Sequence, residues 1–402
     1  MRKNRPVSEW STMNRYIHEQ LENLHNKGTY RILPINEGPM GPVITLNGKE
    51  VINLASNNYL GLANHPTVKQ AAMDAVETYG VGAGAVRTIV GNMDVLESLE
   101  EELAVFKEEP AVTVYQSGFM ANVACIPAVV TQGDLILSDA KNHASIIDAV
   151  KLSKADKKVY PHVDMSALET MLQELRSNYN QVLIITDAVF SMDGNIAPLP
   201  ELVRLAKQYD CMTYVDDAHG SGVLGRNGKG TIDHFDLHGQ VDFIMGTLSK
   251  AVGVVGGYIA SSKEVKEYLL HAARPALFST ALPPADLAAI RASIRLMSQS
   301  HDLQETLWAR ARYFKTKLEQ LGFTLAPSET PITPVMVYDE SLTMTFSKRL
   351  LEQGVFVSGI VFPTVAKGQA RLRCMISAEH TEAQLDQAAR IFEEVGKELG
   401  IL

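Results

Sequence analysis

Cysteine and tryptophan are scarce in this chain of 402 residues, with three of one and two of the other. Cys125, Cys211 and Cys374 are odd in number, far apart and without CxxC spacing, which argues against a disulfide framework, a zinc ribbon and a dithiol redox pair. An excess of positive charge is also missing. The 37 Lys and Arg residues stand against 46 Asp and Glu, a net charge of -9, whereas a protein that grips nucleic-acid phosphates carries a basic footprint. No apolar run approaches the roughly 18 residues of a membrane-spanning helix, and Met1 to Ser11 lack the apolar core of a signal peptide. No internal repeat or low-complexity tract is found, which excludes an array or a disordered scaffold. Together these absences predict a cytoplasmic protein in a reducing compartment, with neither a nucleic-acid nor a membrane partner.

What is present is a hydrophobic fraction of 46% in a chain longer than a single core usually supports. Residues 1-58 read as an N-terminal helix and hairpin, 59-284 as a large α/β domain, and 285-402 as a small α+β domain. From Trp10 to about Lys27, Met13, Ile17, Leu21 and Leu24 form one apolar stripe, which predicts a helix packed on a neighbouring surface. Asn47-Gly48 between two apolar runs predicts a hairpin, which delivers Ser56-Asn57-Asn58-Tyr59-Leu60-Gly61-Leu62. Gly80 to Thr88 is glycine-rich but matches neither dinucleotide nor Walker spacing, and reads as a passage between lobes. The chain then alternates β-rich runs with helical stretches, which predicts a mostly parallel sheet covered on both faces. In such sheets ligands gather beyond the carboxyl ends of the strands. His143, Ser191, Asp216 to His219 and Lys250 each follow one of these runs. Beyond Pro283-Pro284, helices and short strands near 334-338, 355-361 and 370-376 predict an antiparallel sheet.

Lys250 sits in Thr247-Leu248-Ser249-Lys250, between an apolar strand and the segment Gly253 to Gly257. An amine used as a nucleophile must be kept partly neutral by desolvation or nearby charge, so Lys250 is a candidate for a Schiff base with a carbonyl cofactor. A pyridine-aldehyde cofactor further needs a carboxylate at its ring nitrogen and donors at its ring oxygen and phosphate. Asp216, at the end of an apolar strand, is the candidate carboxylate. His219 can reach the ring oxygen or a substrate carbonyl, and His143 can cover the ring face. Gln116 to Phe119 join a strand to a helix N-terminus, so the Gly118 and Phe119 amides, with Thr247, are the candidate phosphate cradle. Asp216-Asp217-x-His219 also admits a metal reading, since carboxylate and imidazole are common ligands, but no further cluster with ligand spacing accompanies it, and no metal is expected.

The motifs SNNYLGL, NHASI, FSMDG, VDDAHGSGVLG, GTLSKA, LFSTALPP and ARLRCMISAEHT resemble those of the α-oxoamine synthases, a branch of the fold-type I pyridoxal 5'-phosphate (PLP) enzymes. The resemblance runs from about Trp10 to the end. It implies a PLP-dependent transferase fold, with Lys250 as the Schiff-base lysine, Asp216 as partner of the ring nitrogen and His143 stacked on the ring. It further implies that Ser191 and His219 bond the ring oxygen and Thr247 the phosphate. Ser279 and Thr280 would complete the phosphate site of a partner subunit in a homodimer, and Asn57 with Arg373 would fix the amino-acid carboxylate. Arg371 competes with Arg373, because alternation along a strand puts both on one face.

The implied reaction condenses an amino acid with an acyl-CoA: Lys250 takes the α-proton and His219 donates to the developing oxygen. Ala85 to Ile89, Ala273 to Phe278 and Ala366 to Arg371 look more like glycine C-acetyltransferases, which predicts glycine and acetyl-CoA as substrates. Ala366 stands where a proline is usual, which sets that stretch apart from the family pattern. Alanine with pimeloyl-CoA, as in 8-amino-7-oxononanoate synthases, or both activities, is the alternative, and a non-catalytic PLP-fold binding protein is the reading from another class.

Overall fold

The computed structural model of the chain describes residues 11-26, 30 and 32-402. The Asn47-Gly48 pair closes the hairpin of β1 (Val43–Leu46) and β2 (Lys49–Asn53), with φ of 48° and 77° at the two turn residues. Both central positions of this type of two-residue turn require positive φ, which Asn and Gly adopt at least cost.

Seven strands build the central sheet: β3 (Ala111–Tyr115), β4 (Leu135–Asp139), β5 (Asp156–Tyr160), β6 (Val182–Asp187), β7 (Met212–Asp216), β8 (Phe243–Thr247) and β9 (Gly257–Ser261). They lie in the order β3-β9-β8-β7-β6-β4-β5. All run in one direction except β9, which is antiparallel to both β3 and β8. Every residue of β3, β4, β6 and β8 is buried, as expected where a parallel sheet is covered on both faces. Alternate residues serve different cores. Ile136, Leu183 and Ile185 pack with helix Gly118–Val129, whereas Leu135, Leu137, Val182 and Ile184 pack with helices Met165–Leu175 and Leu199–Gln208.

Strand β9 was not expected from sequence, because its first residue belongs to a glycine-rich segment. The structure gives that segment a reason. A Cβ on Gly257 would lie 2.4 Å from the Gly118 nitrogen and 2.5 Å from its Cα, so the missing side chain lets β9 pass flush against the start of helix Gly118–Val129. Gly253, with φ of 81°, likewise abuts the backbone of Ala63.

The C-terminal part adds β10 (Ile332–Tyr338), β11 (Val355–Phe356), β12 (Ser358–Ile360) and β13 (Ala370–Met375), with helix Glu340–Glu352 between β10 and β11. β10, β13 and β12 form an antiparallel sheet, whereas β11 pairs in parallel with β2. The hairpin is thereby stitched to residues some three hundred positions later. Ile52 and Leu54 share a core with Phe314, Phe346 and Phe392, whose rings meet at 5.5 to 6.0 Å between centroids. Helix Pro284–Gln299 instead buries Leu287, Ile290, Ile294 and Met297 in the core of the large sheet, against helices Pro66–Tyr79 and Asp94–Lys107.

Helix Thr12–Asn26 forms as the stripe predicts, but buries no residue: Met13 is 71% exposed, and Ile17, Leu21 and Leu24 are exposed too. The neighbouring surface expected for it is not supplied by the chain's own described residues. Trp10 and Lys27 lie outside the described residues. No described helix is long and apolar enough to cross a membrane.

Gly257→Ala is expected to destabilise the fold by about 1–3 kcal/mol, because the added methyl meets backbone that cannot rotate away. Denaturant unfolding measures this. A loss below about 0.5 kcal/mol, the range of an ordinary surface change, would contradict the close approach.

Candidate active site

The carboxyl ends of β3, β4, β6, β7 and β8 open on a cavity of ≈ 220 Å³. Asp216, the last residue of β7, is 3% exposed. Its carboxylate accepts from Asn122 Nδ2 at 3.0 Å and from the Ala218 amide at 3.1 Å, both neutral groups. A buried carboxylate served only by neutral donors has room for a cationic partner on the cavity side. Asp187, its register neighbour on β6, ends the next strand. Burial, with Asp216 beside it, pushes the Asp187 carboxyl well above the usual carboxylate range, and Asp187 accepts from the His143 amide at 2.9 Å.

Lys250 follows β8 and lines the same cavity. Burial pulls its amine down to about 8, against the opposing pull of Asp216 and Asp187. A substantial neutral fraction near neutral pH is what a nucleophilic amine requires. His219 is buried, and burial, reinforced by Lys250 and Arg373, holds its imidazole well below the usual value. Its Nδ1 lies 2.8 Å from the Tyr59 hydroxyl. His143 is exposed at the cavity, with Nδ1 held 2.7 Å from Ser145 Oγ.

Ser117 caps helix Gly118–Val129, its Oγ accepting from the Met120 amide at 3.1 Å. That leaves the first amides of the helix, at Gly118 and Phe119, facing the cavity end where an anion is favoured. Thr247 and Ser249 stand opposite, both bonded to the Gly256 carbonyl. Ser191 also lines the cavity. Ser279 and Thr280 do not. They lie beside Gln116, whose side chain donates to the Thr280 carbonyl at 2.6 Å, and Thr280 is exposed. Asn57 and Arg373 stand behind the lining: Arg373 Nη1 donates to the Ser191 carbonyl at 3.2 Å, while Arg373 Nε and Asn57 Oδ1 are buried without a hydrogen-bond partner. The alternation that left two arginines open is resolved by their partners. Arg371 is committed to the Asp193 carboxylate and the Met192 carbonyl, whereas Arg373 keeps unused donor capacity.

The metal reading of Asp216-Asp217-x-His219 fails on direction. Asp217 turns away from the cavity to Lys107 Nζ at 3.1 Å and to Thr231, in a network joined by Ser221 and Tyr258. Among the described residues, Glu108, Asp233 and His238 do converge elsewhere, but Arg226 and Lys229 already neutralise that cluster. Asn122, Ser145, Asp187 and Ser249 are site residues that sequence reasoning missed. Asn122 had a signal, as the one amide in an otherwise apolar helix.

The sequence profile of the aminotransferase class I and II family matches residues 49–392. The chain belongs to that family. It is 60% identical to an 8-amino-7-oxononanoate synthase of Alkaliphilus metalliredigens over 96% of this chain and 98% of that one. Its fold matches serine palmitoyltransferase from S. paucimobilis with a bound PLP–myriocin aldimine, at a TM-score of 0.91 and 32% identity, over 98% of this chain and 100% of that one. It also matches the 8-amino-7-oxononanoate synthase of Francisella tularensis, at a TM-score of 0.74 and 29% identity, over 87% and 98%. The chain is a PLP-dependent acyltransferase of the α-oxoamine synthase type. The cavity fits PLP by the measures available in the chain itself: an underserved buried carboxylate, a low-pKa amine and a capped helix N-terminus.

The glycine and acetyl-CoA pair expected from three sequence stretches is not what these comparisons favour; they favour the alternative. None of Ala85 to Ile89, Ala273 to Phe278 and Ala366 to Arg371 lines the Lys250 cavity of its own chain.

Stripped of cofactor, the protein is expected to recapture PLP with a rate that rises with pH about a midpoint near 8, since only the neutral Lys250 amine attacks and the fraction neutral grows above its pKa. Stopped-flow absorbance reads the rate, and a midpoint near 10.5 would show that the amine is not perturbed. Arg373→Lys is expected to raise the amino-acid KM about 10–100-fold through loss of a charge-assisted bond, with little change in acyl-thioester KM. A specific rise in the acyl-thioester KM instead would remove Arg373 from the carboxylate site.

Proposed function

We propose that this protein condenses L-alanine with a pimeloyl thioester, releasing the thiol and carbon dioxide, to form 8-amino-7-oxononanoate. The observation that carries this reading is the 60% identity with the Alkaliphilus metalliredigens enzyme across nearly the whole of both chains. When bound, PLP supplies a carbonyl carbon for the amino group and an electron-withdrawing ring that takes up charge from the α-carbon. Asp216 opposes a positive charge at the ring nitrogen, and the helix start at Gly118 and Phe119, with Thr247, holds the phosphate. Asn57 and Arg373 orient the carboxylate. The Lys250 amine takes the α-proton, a role for which a pKa near 8 is suited. His219, neutral and buried, donates to the oxygen of the attacked thioester.

A second copy of the chain completes the site. Ser279 and Thr280 lie outside their own cavity, and the surrounding surface carries exposed Val81, Ile89, Val90 and Phe278. Such apolar exposure suits a subunit contact.

Thiol release should be faster with alanine and pimeloyl-CoA than with glycine and acetyl-CoA, and the product of the first pair should be an α-amino ketone detected by mass spectrometry. Faster turnover of glycine and acetyl-CoA would overturn the assignment. Lys250→Ala should lose the visible absorbance of the holoenzyme, with kcat falling about 10²–10⁴-fold.

A further inference from the structure

The pairing of Tyr59 with His219 is not used by any cofactor or substrate contact described above. Tyr59 is 1% exposed, and its ring meets that of His219 edge to face, with centroids 6.1 Å apart and planes at 84°. The hydroxyl lies 2.8 Å from His219 Nδ1, the one hydrogen-bond partner it has among the described residues. Which atom donates follows from satisfaction. Were Nδ1 to carry the hydrogen and donate to Tyr59, the buried tyrosyl proton would have no acceptor, at a cost of about 1–3 kcal/mol. With the hydroxyl donating, both groups are satisfied. A neutral imidazole has one protonated nitrogen, so a lone pair at Nδ1 places the hydrogen on Nε2.

We propose that Tyr59 is a positioning residue that fixes His219 as the Nε2–H tautomer, so that the imidazole offers a donor to the cavity it lines. The opposite tautomer would present a lone pair to an oxygen that is gaining negative charge. The backbone ties this device to the substrate arm. Tyr59 accepts through its carbonyl from the Ala378 amide at 2.7 Å, and Leu54 accepts from Met375 at 2.8 Å, so Tyr59, Asn57 and the Arg373 strand form one hydrogen-bonded body. The residues assigned to the amino-acid carboxylate are therefore held by the same segment that sets the proton on His219. The inference rests on the acyl-transfer role of His219, but not on the identity of the acyl group.

The test uses holoenzyme labelled with ¹⁵N-histidine, with the His219 signals assigned by their loss in His219→Gln. Nε2 is expected to show the shift of a protonated ring nitrogen and Nδ1 that of an unprotonated one. Tyr59→Phe keeps the ring and removes the hydroxyl, and should mix the two forms. Its kcat should fall about 10–100-fold while the amino-acid KM stays within about threefold, because the donor is needed only as charge develops. A protonated Nδ1 in the wild-type protein would overturn the proposal. So would an unchanged tautomer, or a kcat within about twofold of wild type, in Tyr59→Phe. The wild-type spectrum can overturn the proposal even if the variant does not fold, and it needs no substrate, so an error in the assigned acyl group leaves the result intact.

Discussion

A carboxylate withdrawn from water at the end of β7 sets the terms for the rest of this molecule. Asp216 cannot remain charged and buried unless something answers it. Within the chain the answer is partial: one amide from Asn122 and one backbone N–H. Asn122 is itself oriented by the Tyr214 hydroxyl, 2.6 Å from its Oδ1, and by Ser145, which also holds His143. A chain of neutral groups thus runs from the Asp216 carboxylate through Asn122 and Ser145 to His143. The unanswered part of the charge would suit a cationic group on the cavity side. The same enclosure weakens the Lys250 ammonium and keeps His219 neutral, so one feature, restricted access of water, adjusts two titrating groups in directions that suit acyl transfer.

Geometry comes from strand direction. Because β4, β6, β7 and β8 run in parallel, their carboxyl ends present His143, Asp187, Asp216 and Lys250 on one edge without long loops to hold them. The antiparallel β9 then fills the gap between β8 and β3. Its bare Gly257 allows the start of helix Gly118–Val129 to sit against the sheet, which is how the positive end of a helix is delivered to the same edge. Behind this edge the Lys107–Asp217 pair anchors the segment that carries His219, with both side chains almost fully buried.

Much of this was legible in the sequence. Lys250 stood out because a lysine between an apolar strand and a glycine run is poorly placed for water, and the strand-helix rhythm put the candidate residues on one edge. The hairpin was legible because Asn47-Gly48 satisfies a local backbone demand. Non-local facts were not. Strand β9 carries no signal separating it from its glycine-rich lead, since the reason for Gly257 is a helix start more than a hundred residues away. Arg371 and Arg373 share a face, and only Asp193, which captures Arg371, tells them apart. The three stretches taken to report substrate identity lie off the cavity of their own chain. The N-terminal stripe predicted a helix correctly but not a contact for it within the chain.

The parallel pairing of β2 with β11 has a consequence for how the chain is made. Residues 43-53 leave the ribosome long before Val355 and Phe356 exist, so the hairpin must wait with one strand edge unsatisfied while the whole large sheet is synthesised. Val355 meets Ile52 and Phe356 meets Asn53 only near the end of translation. Until then the arm bearing Asn57 and Tyr59 is held only from the side of the large sheet, where Tyr59, Leu60 and Leu62 are buried. The edge bearing Asp216 and Lys250 can assemble early, whereas the hydrogen bonds that tie residues 52-59 to the C-terminal strands form last.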